Sequence, residues 1–185
     1  APIGRDELLS KNVSSAAAIK AVDPTAEVVG PVLWSGYSYY VTSEELLVFD
    51  QRPGDVPTFV ADYLAGMATA EQQRGTRLID RLAINFYDDR VYNAGTDALR
   101  LEATRQLWDP DYAPEDWWVT RDFLYGNGSA VIPRMYRLID ENYPGTKLAI
   151  TEYNFGAPDT LAGGLAQADA LGIFGREGLG MATVW

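Results

Sequence analysis

The stretch Lys147-Leu-Ala-Ile-Thr-Glu-Tyr-Asn154 predicts a buried strand that ends in a carboxylate. The run is short, apolar and β-branched, and it lies between a Pro144-Gly145 turn and a Gly156-Ala-Pro158 segment. In a parallel α/β sheet, functional groups gather at the carboxyl ends of the strands, because the loops open to solvent there. Glu152 is therefore a candidate catalyst. The alternative is a carboxylate that caps a helix or forms a salt bridge.

Outward from this strand, apolar periodicity predicts helices alternating with strands. The predicted helices span residues 6–22, 57–73, 96–107, 130–143 and 161–174, and the other strands span 27–33, 82–87 and 181–185. This alternation indicates an α/β fold with a parallel sheet and right-handed crossovers. Four such strands cannot close a barrel, and a complete (β/α)8 barrel needs about 250 residues. We expect residues 1–185 to be a single partial domain, the second half of a barrel cut from a longer chain.

The charge and the hydropathy of the chain exclude two classes of partner. The net charge is −11 and the pI is near 4.4, which is a poor match for nucleic acid or for an anionic membrane surface. No apolar run approaches the roughly 20 residues that a membrane span needs, and we find no signal peptide. We therefore expect neither nucleic acid nor membrane as a partner.

The sequence contains no cysteine and no histidine. This excludes Ser-His-Asp and Cys-His machinery, and metal centres built on either residue, within the chain. Acid–base chemistry must then use Asp, Glu, Tyr or Lys. The acidic pairs at Asp88-Asp89 and within residues 109–116 do not have the spacing of an EF-hand loop, and we interpret them as a solvated rim. We expect no cofactor and no bound metal.

The predicted strand ends place one carboxylate among aromatic and amide groups, which is the composition of a glycosidase site. In order, the ends present Trp34, Asn85 with Tyr87, Glu152 and Trp185. A retaining glycosidase uses one carboxylate as nucleophile and a second, about 5–5.5 Å away, as acid and base. Glu152 is the candidate nucleophile, with Tyr87 donating a hydrogen bond to it and Trp185 forming the floor of a sugar subsite. Ordinary packing remains the alternative for Tyr87 and Trp185. Further candidates for substrate contacts are Trp34, Asn85, Tyr153, Trp117 and Trp118.

Several motifs resemble those of glycoside hydrolase family 44. They are Ala21-Val-Asp-Pro-Thr-Ala26 with Gly30-Pro-Val-Leu33, Leu107-Trp-Asp-Pro110, residues 143–154, Gly163-Gly-Leu-Ala-Gln-Ala-Asp-Ala-Leu-Gly-Ile-Phe-Gly175 and the terminal Trp185. The resemblance implies a (β/α)8 barrel, of which this chain holds about the last four βα units. It also implies a retaining endo-β-1,4-glucanase or xyloglucanase that acts on a β-glucan. By the same resemblance, we expect the full-length protein to be secreted and monomeric.

By this resemblance Glu152 occupies the position of the family's nucleophile. The acid/base glutamate of the family lies in an Asn-Glu-Pro motif, which does not occur in this sequence. We therefore expect the proton donor to lie upstream of Ala1, and the isolated chain to be inactive. Where the family usually has Asp-Ile-His-Tyr-Tyr-Pro, this chain has Ala83-Ile-Asn-Phe-Tyr-Asp88. Asn85 can bind a sugar hydroxyl but cannot titrate near neutrality.

Two other functions compete with a glycosidase. The first is a carbohydrate-binding partial barrel that keeps the aromatic platforms but has no turnover. The second is a barrel enzyme that binds phosphorylated metabolites, which predicts a Gly-rich phosphate loop after the last strands. The loop after Glu152 reads Asn154-Phe-Gly-Ala-Pro-Asp159, and its acidic, proline-containing sequence counts against the second alternative.

Overall fold

Helices and parallel strands alternate along the chain, as the periodicity predicts. The computed structural model describes residues 2–34, 36–40, 42–46, 59–92, 95–112 and 129–185. In chain order the elements are α1 (Arg5–Val22), β1 (Val29–Leu33), α2 (Ser43–Leu46), α3 (Phe59–Arg74), β2 (Arg81–Tyr87), α4 (Asp89–Tyr92), α5 (Asp97–Ala103), α6 (Val131–Asn142), β3 (Lys147–Asn154), α7 (Leu161–Arg176) and β4 (Ala182–Val184). Short 3-10 helices span Gly36–Tyr39 and Thr104–Leu107.

The strands form one sheet in the order β1-β2-β3-β4, and each adjacent pair is parallel. This confirms the predicted parallel α/β arrangement. Since the strands are parallel, their carboxyl ends lie together at one end of the sheet. Sequence order also sets which strands neighbour each other, so β2 and β3 lie side by side at the centre and carry Asn85, Tyr87 and Glu152 together.

The two faces of the sheet differ in what covers them. Residues paired between parallel strands project to the same face, so the pairs Ile84–Ile150 and Phe86–Tyr153 share one face. That face packs against the helices, because the Tyr153 ring meets Phe174 of α7 edge-on at a centroid distance of 5.0 Å. A buried apolar layer fills this side and includes Leu64, Met67, Leu82, Ile84, Ile132, Met135, Leu148, Ile150 and Ile173. Asn85 and Glu152 project from the opposite face, which we call the open face because Tyr87 and Glu152 are partly exposed at its carboxyl end, although Asn85 is buried.

Strand β3 contains one residue more than its neighbours near its carboxyl end. Relative to β2, Ile150 pairs with Ile84 but Glu152 pairs with Asn85, so Thr151 is extra. The register with β4 shows the same excess, since Ile150 pairs with Ala182 and Tyr153 with Val184. An extra residue of this kind is a β-bulge, which bends the strand locally and re-aims the side chains beside it.

An ion pair fixes the end of α1 to the start of the sheet. The Lys20 ammonium donates to Oδ2 of Asp80 at 2.8 Å and to the Ala26 carbonyl at 2.8 Å. The same Oδ2 atom accepts the Val28 amide at 2.8 Å, so Asp80 joins α1, the start of β1 and the start of β2. Lys20 is buried, and its charge is matched by this carboxylate.

Within the described residues, no helix combines the length and the apolar character required to cross a bilayer.

Candidate active site

Glu152 lies near the end of β3 on the open face, and its side chain is partly exposed. The Tyr87 hydroxyl, from the end of β2, donates a 3.0 Å hydrogen bond to Oε2 of Glu152. The register of the two strands explains the contact, because Asn85 pairs with Glu152 and Tyr87 follows Asn85 by two residues on the same face. Sequence analysis predicted this hydrogen bond from the same spacing.

The second carboxylate oxygen, Oε1, is available for chemistry. In the part of the chain that the structure describes, Oε1 has no hydrogen-bond partner and no lysine or arginine pairs with Glu152. Among the described residues, Glu152 is therefore not held in a salt bridge, which was the alternative to a catalytic role. A half-exposed carboxylate with one oxygen held by a phenol is oriented but still able to attack an electrophile.

Asn85 pairs with Glu152 across the two strands and is only 4% exposed. Its Oδ1 accepts the Thr151 hydroxyl at 2.8 Å, and its backbone carbonyl accepts the Tyr39 hydroxyl. Since the side-chain carbonyl is already used and the residue is buried, this placement does not favour the predicted contact with a sugar hydroxyl. Asn85 instead connects the segment after β1 to the bulge of β3.

The placement of Tyr153 corrects its assignment as a substrate-binding residue. Pairing with Phe86 puts Tyr153 on the helix-packed face, where it is 2% exposed. Its ring packs against Phe174, and its hydroxyl accepts a hydrogen bond from Nε2 of Gln167 at 2.6 Å. The side chain next to Glu152 in sequence therefore belongs to the core and is excluded from the substrate-binding set.

Two exposed tryptophans follow the outer strands. Trp34 comes directly after β1 and is 51% exposed, and Trp185 follows β4 and is 73% exposed. The backbone of Trp185 is held in place, because its amide donates to the Tyr153 carbonyl at 3.1 Å and its carbonyl accepts from Nδ2 of Asn154. Exposed indole faces at strand ends suit stacking on sugar rings. The predicted contacts Trp117 and Trp118 lie outside the described residues.

A buried arginine that sequence analysis missed holds the loop after β3. The guanidinium of Arg100, on α5, donates to the carbonyls of Val91 and Gly95 at 2.9 and 3.0 Å and to the carbonyl of Phe155. Phe155 begins the loop after Glu152, so Arg100 ties that loop to the segment after β2. Its sequence position resembles an ordinary solvent-facing helical arginine, and no local pattern distinguishes it.

The structure corrects the interpretation of Asp88 as part of a solvated acidic rim. Asp88 is buried directly after β2 and accepts hydrogen bonds from Arg90 and Gln106. Burial alone would lower the pKa of the Arg90 guanidinium, but its interactions with Asp88 and with the Tyr112 hydroxyl together outweigh burial and raise that pKa above its ordinary value. Within the described residues, no group of acidic side chains has the arrangement of a metal site.

Comparison with known proteins finds a matching family model and similar enzymes. The family model described as glycoside hydrolase family 44 matches residues 1–90. Endoglucanase A of Paenibacillus lautus is 36% identical over 190 residues, which cover 97% of this chain and 27% of that protein. The beta-mannanase/endoglucanase A of Caldicellulosiruptor saccharolyticus is 34% identical over 201 residues, with 97% of this chain and 15% of that protein covered.

Solved structures show the same relationship. A family 44 xyloglucanase from Paenibacillus polymyxa superposes with a TM-score of 0.86 at 34% identity and covers 99% of this chain. A family 44 endoglucanase from Clostridium thermocellum superposes with a TM-score of 0.83 at 36% identity, also over 99% of this chain. The chain spans 37% and 38% of the lengths of these two structures, so its four-stranded sheet corresponds to part of a (β/α)8 barrel.

Proposed function

Because the chain belongs to glycoside hydrolase family 44, we propose that it supplies the nucleophile side of a retaining glycosidase site, with Glu152 as the nucleophile. The observation that carries the proposal is the environment of Glu152. One oxygen accepts the Tyr87 hydroxyl, the other has no partner among the described residues, and exposed tryptophans follow the two outer strands, β1 and β4.

The chemistry proposed for Glu152 is a double displacement. Its carboxylate oxygen forms a bond to the anomeric carbon while the glycosidic carbon–oxygen bond breaks, which gives a covalent glycosyl-enzyme. Water then attacks the same carbon and releases the sugar with its original configuration. The Tyr87 hydroxyl, which donates to Oε2, orients the carboxylate during both steps.

The leaving oxygen needs a proton, and a second carboxylate about 5–5.5 Å from the first supplies it in a retaining enzyme. We propose that the acid/base residue lies outside residues 1–185, in a longer protein whose barrel this partial catalytic domain helps to form. This agrees with the share of the relatives that the chain spans.

The proposed substrate is a β-1,4-glucan, cut internally, with xyloglucan as one candidate. The Paenibacillus polymyxa xyloglucanase has been solved with xyloglucan, and it matches 99% of this chain at 34% identity. Two exposed indoles on opposite sides of the nucleophile suit a polymer that runs across the strand ends, since each ring can stack on a different sugar unit. Because a polysaccharide substrate is met outside the cell, we also propose that the protein is secreted. We propose in addition that the full-length protein is a monomer.

The test compares the full-length protein with its Glu152→Gln variant on xyloglucan and on cello-oligosaccharides. We expect kcat to fall at least about a thousandfold, because the amide cannot form the glycosyl-enzyme, while the Kd for oligosaccharides changes little. Glu141→Gln, on the exposed surface of α6, is the matched control and should keep full turnover.

Two results would contradict the proposal. Near-native turnover by Glu152→Gln would remove Glu152 from the mechanism. A full-length wild-type protein that binds oligosaccharides without hydrolysing them would instead favour the carbohydrate-binding alternative.

A further inference from the structure

The bulge of β3 brings two consecutive residues to the open face. Ile150 and Tyr153 both lie on the helix-packed face, because they pair with Ile84 and Phe86, which share that face on β2. Thr151 and Glu152 lie between them and both project from the opposite face. In a regular strand, consecutive residues alternate between faces, so this arrangement exists only because β3 has one extra residue at this point.

The place of the extra residue decides where the carboxylate points. If the bulge formed one residue later along β3, Thr151 would pair with Asn85, and Glu152 would be the extra residue, opposite Phe86 together with Tyr153. Glu152 would then face α7 and the apolar layer, since a one-residue shift exchanges the faces. The Tyr87 hydroxyl, on the open face, would lose its contact with the carboxylate. The position of the bulge is therefore a requirement of the site.

The Thr151 side chain contacts the two residues of β2 between which it is inserted. Its hydroxyl donates to Oδ1 of Asn85 at 2.8 Å, and the Ile84 carbonyl lies 3.3 Å from the same oxygen. Asn85 is buried, and its own carbonyl accepts the Tyr39 hydroxyl, so the group that holds Thr151 is itself held. A hydrogen bond to a fixed partner at the bulge favours this register over its neighbour.

We propose that Thr151 is a positioning residue, whose hydrogen bond to Asn85 holds the bulge so that Glu152 faces substrate and Tyr87. The inference rests on the proposed function and assigns a role within the same site. It also gives Asn85 a role different from direct sugar binding, as the acceptor that fixes Thr151.

The test uses Thr151→Val and Thr151→Ser in the full-length protein. Valine keeps the branched shape and removes the hydroxyl, so we expect kcat to fall about tenfold to a hundredfold while KM changes less than about twofold. Serine restores the hydroxyl and should keep kcat within about threefold of wild type. Melting temperatures are measured for both variants, because a purely structural role would change the amount of folded protein rather than kcat.

A double-mutant cycle with Asn85→Ala tests whether the two residues act through their bond. If they do, the double variant Thr151→Val with Asn85→Ala loses no more kcat than the more impaired of the two single variants. Additive losses, or full activity in Thr151→Val, would overturn the inference.

Glu152→Gln is measured beside these variants so that the two proposals fail differently. If Glu152→Gln is inactive while Thr151→Val is fully active, only the role of Thr151 is wrong. If Glu152→Gln keeps its turnover, the proposed function fails, and the positioning role fails with it.

Discussion

At the scale of single residues, the Tyr87 hydroxyl sets the direction of the Glu152 carboxylate. The bond is 3.0 Å long and joins the ends of two adjacent strands, so it also links β2 to β3 at the edge where the site lies. A phenol that donates to an ionised carboxylate forms a stronger bond than one that donates to a neutral acceptor. Tyr87 therefore orients the carboxylate while leaving Oε1 open.

We predict that Tyr87→Phe lowers kcat about tenfold to a hundredfold with little change in KM, because the variant loses one charge-assisted hydrogen bond to Glu152, the proposed nucleophile. Steady-state kinetics on cello-oligosaccharides measure the change. Tyr136→Phe is the matched control, since the Tyr136 hydroxyl donates to the Gly178 carbonyl at 3.0 Å, on a different element. Equal effects of the two substitutions would show that Tyr87 has no specific role.

Sequence reasoning predicted the hydrogen bond between Tyr87 and Glu152 but did not determine which way every neighbour faces. Strict alternation from Leu148 and Ile150 would place Glu152 on the helix-packed face, and the single extra residue in β3 reverses this. The same extra residue places Tyr153 on the helix-packed face, where strict alternation would not put it. A bulge depends on the register with two other strands, so no pattern within the eight residues of β3 reveals it.

At the scale of elements, the Lys20–Asp80 pair joins α1 to the sheet. Burial would raise the pKa of the Asp80 carboxyl, but hydrogen bonds from Lys20 and from the Val28 amide outweigh burial and lower that pKa below its ordinary value. A carboxyl whose folded-state pKa is lowered stabilises the fold above its unfolded-state pKa. This contribution is lost as pH falls through the lowered, folded-state value.

We predict that Asp80→Asn lowers the free energy of unfolding near neutral pH by about 1–3 kcal/mol, because the buried Lys20 loses its counter-charge. The difference from wild type should stay constant down to about pH 5 and then shrink below about pH 4, as the wild-type carboxyl is itself protonated. Urea unfolding at several pH values measures it.

Glu7→Gln is the control for this experiment, since the Glu7–Lys11 pair lies on the exposed surface of α1 and should contribute little at any pH. A gap between wild type and Asp80→Asn that stays constant down to pH 2 would contradict the expected linkage.

Most long elements were predictable because their apolar periodicity reflects one packed face. The short helices α2 and α4 were not, since four residues provide no period to detect. Arg100 was also missed: its three carbonyl partners lie in segments that only the folded chain brings together. Contacts between loops of different βα units therefore could not be predicted from the sequence.

At the scale of the molecule, the sheet has two outer edges. Among the described residues, no strand pairs with the outer side of β1 or β4. Val184 on β4 is 57% exposed, beside the exposed Trp185. An apolar sheet edge of this kind favours pairing with another chain.

We predict that the 185-residue chain by itself associates as its concentration rises and shows little or no hydrolysis. Light scattering coupled to size exclusion measures the association. Val184→Lys should weaken it, because a charge on an edge strand opposes pairing. The control Val22→Lys, at the exposed end of α1, should leave it unchanged. A monomer that melts cooperatively and hydrolyses β-glucan would show that this prediction is wrong.

The central claim is that Glu152 forms a covalent bond to the sugar, and trapping that bond tests it most directly. A 2-deoxy-2-fluoro-cellobiosyl fluoride slows both displacement steps, but its good leaving group lets the first proceed, so the glycosyl-enzyme accumulates as fluoride departs. Incubating the full-length protein with this reagent, followed by intact-mass and peptide mass spectrometry, locates the bond. We predict that one 2-deoxy-2-fluoro-cellobiosyl group is added, attached to Glu152, and that the Glu152→Gln variant carries no label. A label on a different residue, or an active enzyme that is never labelled, would contradict the account.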